Sequence, residues 1–194
     1  MTIDVRAVAV FCGSRMGAKP VYQQAAQETG KELAKAGIRL VYGGGANGLM
    51  GVVAHAVIQA GGSVTGVIPE FLKTREKMNE DVSELIVTDS MHTRKQIMFS
   101  RADAFWILPG GFGTFEELLE ILTWRQLKRH DKPIVLINVD GWGDKVVAML
   151  DEAVKQGFAS VDARSLLSVV PNAAAALECS RVTEHTEALG MDVM

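Results

Sequence analysis

Ala104-Phe105-Trp106-Ile107-Leu108-Pro109-Gly110-Gly111-Phe112-Gly113-Thr114-Phe115-Glu116-Glu117-Leu118-Leu119 is the stretch on which the fold turns. Its first five residues are apolar without alternation, the pattern of a strand covered on both faces in a parallel sheet. A proline and three glycines end that run. Apolar Leu118, Leu119, Ile121 and Leu122 then recur at helical spacing, which predicts a helix over 115–129. Strand, glycine turn and helix together make the repeating unit of an α/β sheet.

The same unit extends in both directions. Upstream, 5–12 reads as a strand closed by Gly13-Ser14, 20–36 as a helix that opens on Pro20 and stops at Gly37, 38–42 as a second strand, and 49–60 as a second helix. Strands at 63–68 and 84–88 and a helix at 90–102 complete the approach. Downstream lie a strand at 133–139, a helix at 144–156, a strand at 166–170 and a helix at 173–179. The alternation predicts a Rossmann-like, doubly wound α/β fold: a mainly parallel sheet of six or seven strands with helices on both faces. One domain is expected over 1–180. Residues 181–194 lack clear periodicity and read as a frayed or partner-docked tail. The polar stretch 69–83, with Lys73, Arg75, Glu76 and Lys77, reads either as a solvated loop or as a flap over a site.

Composition narrows the function. The chain has 194 residues, 48% hydrophobic and 22% charged, with a net charge of -3, so nothing global attracts nucleic acid or an anionic membrane. Any anion site is local. Two cysteines, Cys12 and Cys179, and four scattered histidines offer neither a disulfide framework nor metal-ligand spacing. With no run of membrane-spanning length and no signal-peptide pattern, a soluble cytoplasmic protein is expected.

In an open parallel sheet, ligands bind beyond the carboxyl ends of the strands, where strand order reverses. Small or polar turns follow four strands: Gly13-Ser14, Gly43-Gly44-Gly45-Ala46-Asn47-Gly48, Asp89-Ser90, and Pro109 to Thr114. Gly43 to Gly48 satisfies G-x-G-x-x-G, but it follows the second strand, the wrong place for a dinucleotide fingerprint. A tight turn and a phosphate contact both fit it. Gly110, Gly111 and Gly113 leave backbone amides open to an anion at the positive end of the following helix. Thr114 either donates its hydroxyl to that anion or opens a capping box with Glu117, since Thr114-Phe115-Glu116-Glu117 is T-x-x-E. A carboxylate in a first helical turn repels a neighbouring phosphate unless the phosphate and the reacting bond occupy different ends of the pocket.

Arg94 falls along the apolar stripe of Met91, Ile97 and Met98, so its guanidinium needs a buried partner. It reads as a packed ion-pair residue or as a clamp on phosphate, ribose or Glu117. Lys95 has a similar but weaker claim. Cys12 reads as a buried small hydrophobe, His55 and His130 as ordinary helix residues, and Met50, Met91 and Met98 as core filling or a purine-facing wall.

Met91-His92-Thr93-Arg94-Lys95, followed by Pro109-Gly110-Gly111-Phe112-Gly113-Thr114-Phe115-Glu116-Glu117, matches the P-G-G-x-G-T-x-x-E signature, with Val41-Tyr42-Gly43-Gly44-Gly45 and Gly48-Leu49-Met50-Gly51 upstream. On these residues the chain resembles the LONELY GUY (LOG) family of cytokinin-activating phosphoribohydrolases, long labelled possible lysine decarboxylases, over roughly residues 5–170. The resemblance implies hydrolysis of a nucleoside 5′-monophosphate to free base and ribose 5-phosphate, without a cofactor or metal, by a homodimer. It implies Arg94 and Glu117 as catalytic residues. Substrate contacts are expected from Gly13, Ser14, Gly43, Gly44, Gly45, Met91, Lys95, the run from Gly110 through Gly111, Phe112, Gly113, Thr114 and Phe115 to Glu116, and Thr123. Phe112 stands where relatives often carry tyrosine.

Breaking the glycosidic bond builds positive charge on ribose and negative charge on the leaving base. A carboxylate at Glu117 would act by electrostatic stabilisation or by activating water, with Arg94 orienting the substrate. Two other classes share these residues: a non-catalytic nucleotide or cofactor carrier, and a decarboxylase, which needs a Schiff-base lysine and a pyridoxal-phosphate motif that the chain does not display.

Overall fold

The computed structural model describes residues 4–73 and 77–181. The centre of the charged 69–83 stretch and nearly all of the expected tail, 182–194, therefore lie outside the described residues. Seven strands, β1 (Ala7–Phe11), β2 (Arg39–Tyr42), β3 (Val64–Pro69), β4 (Glu84–Thr88), β5 (Ala104–Ile107), β6 (Ile134–Ile137) and β7 (Leu167–Val170), form one sheet in the order β4-β3-β2-β1-β5-β6-β7. Every pairing is parallel. Helices α1 (Pro20–Lys35), α2 (Gly48–Gln59), α3 (Met91–Arg101), α4 (Phe112–Gln126), α5 (Asp144–Lys155), α6 (Val161–Ser165) and α7 (Ala173–Arg181) cover both faces.

Side-chain alternation within the uninterrupted apolar strands produces the two layers. Val8 and Val10 of β1, Leu40 and Tyr42 of β2 and Trp106 of β5 pack with Leu33 of α1, Val53 of α2 and Ala176 of α7. Ala9 and Phe11, Val41, and Phe105 and Ile107 point the other way, against Met98 of α3, Leu118 of α4 and Val146 of α5. A polar stitch secures the last helix: Trp106 Nε1 donates to the buried Ser180 Oγ at 2.8 Å.

Strand order across the sheet reverses at β1, with β2 on one side and β5 on the other. The crevice between their carboxyl ends is the binding position expected for this topology. The turns after β1 and β5 meet there, the Gly13 amide donating to Pro109 C=O at 3.0 Å.

Three details depart from the sequence reading. First, α4 begins at Phe112, three residues before the expected start, with Gly111 in an extended conformation at its N-cap and no side-chain cap. Thr114 thus lies inside the helix and the capping box does not form. Second, β6 ends at Ile137 and Val139–Gly141 makes a 3-10 turn. Third, α6 was not expected; its five residues are too few to show periodicity, and Ser160 Oγ caps it by accepting from the Ala163 amide at 3.0 Å.

Candidate active site

Two helices on one face of the sheet deliver the candidate residues. Ser90 caps α3, its Oγ accepting from the Thr93 amide at 3.1 Å, while Thr93 Oγ1 donates to Asp89 at 2.7 Å and holds that carboxyl below its ordinary pKa. With the first turn fixed, Arg94 and Met98 fall four residues apart on the buried face.

Arg94 is only 5% exposed. Its guanidinium reaches over the ends of β3 and β2: Nε donates to Val67 C=O at 3.0 Å and Nη2 to Gly43 C=O at 2.9 Å, while Nη1 lies 3.7 Å from Met91 Sδ. This explains the glycine at 43. Any Cβ there would overlap Arg94 Nη2 and stand 2.9 Å from Met50 Sδ. The first glycine of the G-x-G-x-x-G run thus makes room for an arginine.

Gly110 answers a similar demand, because a Cβ there would collide with Thr114 Oγ1 and lie 2.9 Å from the Gly13 amide nitrogen. Gly111 and Gly113 differ. A Cβ at either would meet nothing within 4 Å. Packing within the chain does not require these two glycines, but bare backbone there keeps the helix start approachable. The first i→i−4 bond at this end joins the Phe115 amide to Gly111 C=O at 3.1 Å, so the amides of Phe112, Gly113 and Thr114 precede the helical ladder. They present the positive end of a fifteen-residue helix to the crevice.

Glu117, half-buried, lies one turn further along α4. It is near Cys12 at the end of β1: burial raises the Cys12 thiol pKa, and the Glu117 carboxylate adds to that shift. Cys12 is thus a protonated core thiol, as its sequence context suggests. The crevice brings together Arg94 at the ends of β2 and β3, Glu117 near the end of β1, and the open amides of α4.

Flanking this centre, Lys95 Nζ sits 2.5 Å from Glu116 and 3.0 Å from Glu120, bridging α3 to α4. Burial opposes the charge on Lys95, but the hydrogen bonds and charges of the two carboxylates overcome it and hold its pKa above the ordinary value. The sequence reading gave Glu120 no role; its contact with Lys95 is what it missed.

Other expected contacts are distributed unevenly. Ser14, Gly44 and Gly45 lie in the turns around the crevice, and Met91 touches Arg94. Phe115 stacks on Trp142 with ring centroids 5.6 Å apart. Phe112 is 92% exposed, and Thr123 is exposed with its hydroxyl donating to Leu119 C=O at 2.7 Å. His92 and His55 are exposed helix residues, whereas His130 lies beyond the end of α4 with its ring edge-on to Phe99 and Phe105. The 69–83 stretch is partly docked, since the Ala46 amide donates to Lys77 C=O at 2.8 Å and the Asn79 amide to Gly44 C=O at 3.0 Å. No group of three His, Cys, Asp or Glu among the described residues is arranged to hold a metal. No helix among them is long and apolar enough to cross a membrane.

A Rossmann-like sheet with an open helix start and an arginine and a glutamate at its switch point places the chain among the α/β proteins that bind ligands beyond the carboxyl ends of their strands. Comparison with known proteins makes this more specific. The chain belongs to the LOG family: the family model described as possible lysine decarboxylase matches residues 50–179, and the curated relatives are cytokinin riboside 5′-monophosphate phosphoribohydrolases. LOG of Oryza sativa subsp. japonica is 52% identical over 168 residues, 87% of this chain and 69% of the relative. LOG2 of Arabidopsis thaliana is 48% identical over 168 residues, 87% of this chain and 79% of the relative. Among solved structures, the molybdenum cofactor binding protein of Rippkaea orientalis superposes with a TM-score of 0.68 at 20% identity, covering 91% of this chain and 96% of that one. The Moco carrier protein of Chlamydomonas reinhardtii gives 0.67 at 23% identity, covering 89% and 93%. At such identities these two show a shared fold.

Proposed function

We propose that this protein hydrolyses the N-glycosidic bond of cytokinin riboside or adenosine 5′-monophosphates, releasing free base and ribose 5-phosphate. The observation that carries this is the convergence of buried Arg94, half-buried Glu117 and the open α4 amides on one crevice, in a chain about half identical to phosphoribohydrolases. The amides of Phe112 to Thr114 anchor the 5′-phosphate. Glu117 faces the anomeric carbon, stabilising oxocarbenium charge or taking a proton from the attacking water. Arg94, fixed by two backbone carbonyls, orients the substrate and offsets charge on the departing base.

A homodimer fits the surface of α4. Phe112, Leu119 and Leu127 are exposed, and they share one stripe with Glu116 and Thr123. Two copies of α4 packed antiparallel about a two-fold axis near Leu119 would set Phe112 against Leu127 and Glu116 against Thr123 of the partner subunit. Thr123 lies six residues beyond Glu117, about 9 Å along its own helix, so it reaches substrate best from the other subunit. The reading includes one catalytic domain over 1–180, acting in the cytoplasm.

A carrier of the same fold is the rival, but the fold neighbours that suggest it are 20% and 23% identical, against 52% for the hydrolase relative. Decarboxylation through a Schiff base requires a neutral lysine amine. Lys95, held protonated between two carboxylates, does not supply one. The deciding experiment is a chromatographic screen of nucleoside monophosphates with unphosphorylated nucleosides as controls. Base release from monophosphates alone is expected, falling at least about a hundredfold in Glu117→Gln. Equal cleavage of nucleosides would refute the phosphate anchor, and near-normal release by the variant would refute the role of Glu117.

A further inference from the structure

Lys95, Glu116 and Glu120 stand one to three residues from the two proposed catalytic residues, and their combined charge decides what they can bind. Lys95 is mostly buried, 16% exposed, and its ammonium meets both carboxylates, giving the triad one net negative charge. A phosphate drawn to Lys95 would lie beside two carboxylates, and like charges at such range repel. The α4 amides offer the anion a site without that penalty. The triad therefore suits neutral hydroxyl groups.

Its hydrogen-bonding inventory points the same way. An ammonium has three protons, and the carboxylates take two of them, leaving one donor. Each carboxylate keeps unused acceptor positions, and Glu116, 54% exposed, is open to an incoming ligand. A donor and an acceptor side by side complement a pair of vicinal hydroxyls, each of which both gives and receives a hydrogen bond. Glu116 directly precedes Glu117 and Lys95 directly follows Arg94, so the triad borders the position where the anomeric carbon would lie.

We propose that the Lys95–Glu116 pair, held in place by Glu120, reads the 2′- and 3′-hydroxyls of the sugar and makes the enzyme selective for ribonucleoside over 2′-deoxyribonucleoside monophosphates. The inference rests on the function proposed above. It assigns Glu116 and Lys95 to the sugar and makes Glu120 a positioning residue that never touches substrate. Hydrogen bonds to the 2-hydroxyl of a glycoside strengthen as the oxocarbenium ion forms, so the discrimination falls mainly on kcat and less on KM.

The test measures kcat and KM for adenosine 5′-monophosphate and its 2′-deoxy analogue with wild type, Glu116→Gln and Glu120→Gln. The wild type is expected to favour the ribonucleotide by about 10- to 100-fold in kcat/KM, the range for a hydrogen bond to a charged group. Glu116→Gln should reduce the preference to about threefold or less, and Glu120→Gln should reduce it partly, with the change in kcat. Equal cleavage of both substrates by wild type, or full discrimination in Glu116→Gln, would overturn the sugar assignment while leaving the hydrolase reading standing. If removing either carboxylate lowers KM equally for both substrates, Lys95 serves the phosphate and the assignment is again wrong. Failure of wild type to cleave any monophosphate would overturn the hydrolase reading itself.

Discussion

Replacing Gly43 with alanine tests whether Arg94 owes its position to the bare backbone of the second strand turn. The added Cβ would overlap Nη2 of Arg94 and press on Met50 Sδ at 2.9 Å. Ordinary contacts lie near 3.5 to 4.0 Å, so the guanidinium must move by about 1 Å or more. It has little room, being 5% exposed and tied by Nε to Val67 C=O at 3.0 Å. The bond that must go is Nη2 to Gly43 C=O, now 2.9 Å. Losing a hydrogen bond to a charged group costs about 1.5–3 kcal/mol, which for a chain this long lowers Tm by roughly 3–12 °C. A displacement of that size at Arg94, if it acts as proposed, costs on the order of a hundredfold in rate. Calorimetry and a base-release assay on Gly43→Ala read the two effects separately, and an Arg94→Ala background completes the cycle. With the guanidinium gone, the same methyl should add less than about 0.5 kcal/mol, because the two changes act on one contact. Full additivity, or a Gly43→Ala enzyme with wild-type rate and Tm, would refute the reasoning.

Gly111→Ala is the matching control: its Cβ meets nothing within 4 Å, so only the N-cap preference for glycine over alanine is lost, about 0.5–1 kcal/mol or roughly 1–4 °C in Tm, while KM for the monophosphate rises because the methyl occupies ligand space; unchanged KM would show that the anion binds elsewhere. For His130, burial is the main cause of a pKa below the ordinary 6.5, opposed by its bond to Ile121 C=O and reinforced by Arg125 and Lys132. The neutral ring is the native form, so its contribution is complete above about pH 6.5 and is lost as pH falls through the lower folded value. Urea denaturation from pH 7 to 5 should therefore weaken wild type more than His130→Gln, and equal losses would exclude the ring as the cause. Leu127→Glu should yield monomers in sedimentation and lower base release if Thr123 acts across a two-fold axis; a dimeric variant would place the subunit contact off the α4 stripe.

Strands were legible because burial on both faces writes itself as an uninterrupted apolar run: 104–108 anticipated β5 to within one residue. Helix starts were less so. The sequence reading began α4 at Phe115, where the helical periodicity follows the glycine turn, whereas extended Gly111 serves as the N-cap. Arg94 announced itself as a charge on an apolar stripe, but its partners, the carbonyls of Val67 and Gly43, lie 27 and 51 residues away and carry no side-chain signal. Glu120 escaped notice for the same reason, since its value depends on a lysine from another helix. Periodicity reports which face is buried, not what that face meets.

The corrected start of α4 also resolves the electrostatic objection to placing a carboxylate beside a phosphate. Counted from Thr114, Glu117 would stand in the first turn, among the amides assigned to the anion. Counted from Phe112, it stands in the second turn, while the amides of Phe112 to Thr114 occupy the first. The two sites are thereby offset by about one helical pitch, 5.4 Å. Anion and carboxylate no longer compete for the same donors, and Glu117 is released from capping. One helix can therefore hold a phosphate at its tip and place a carboxylate at the sugar behind it, a division that depends on Gly111 being the cap.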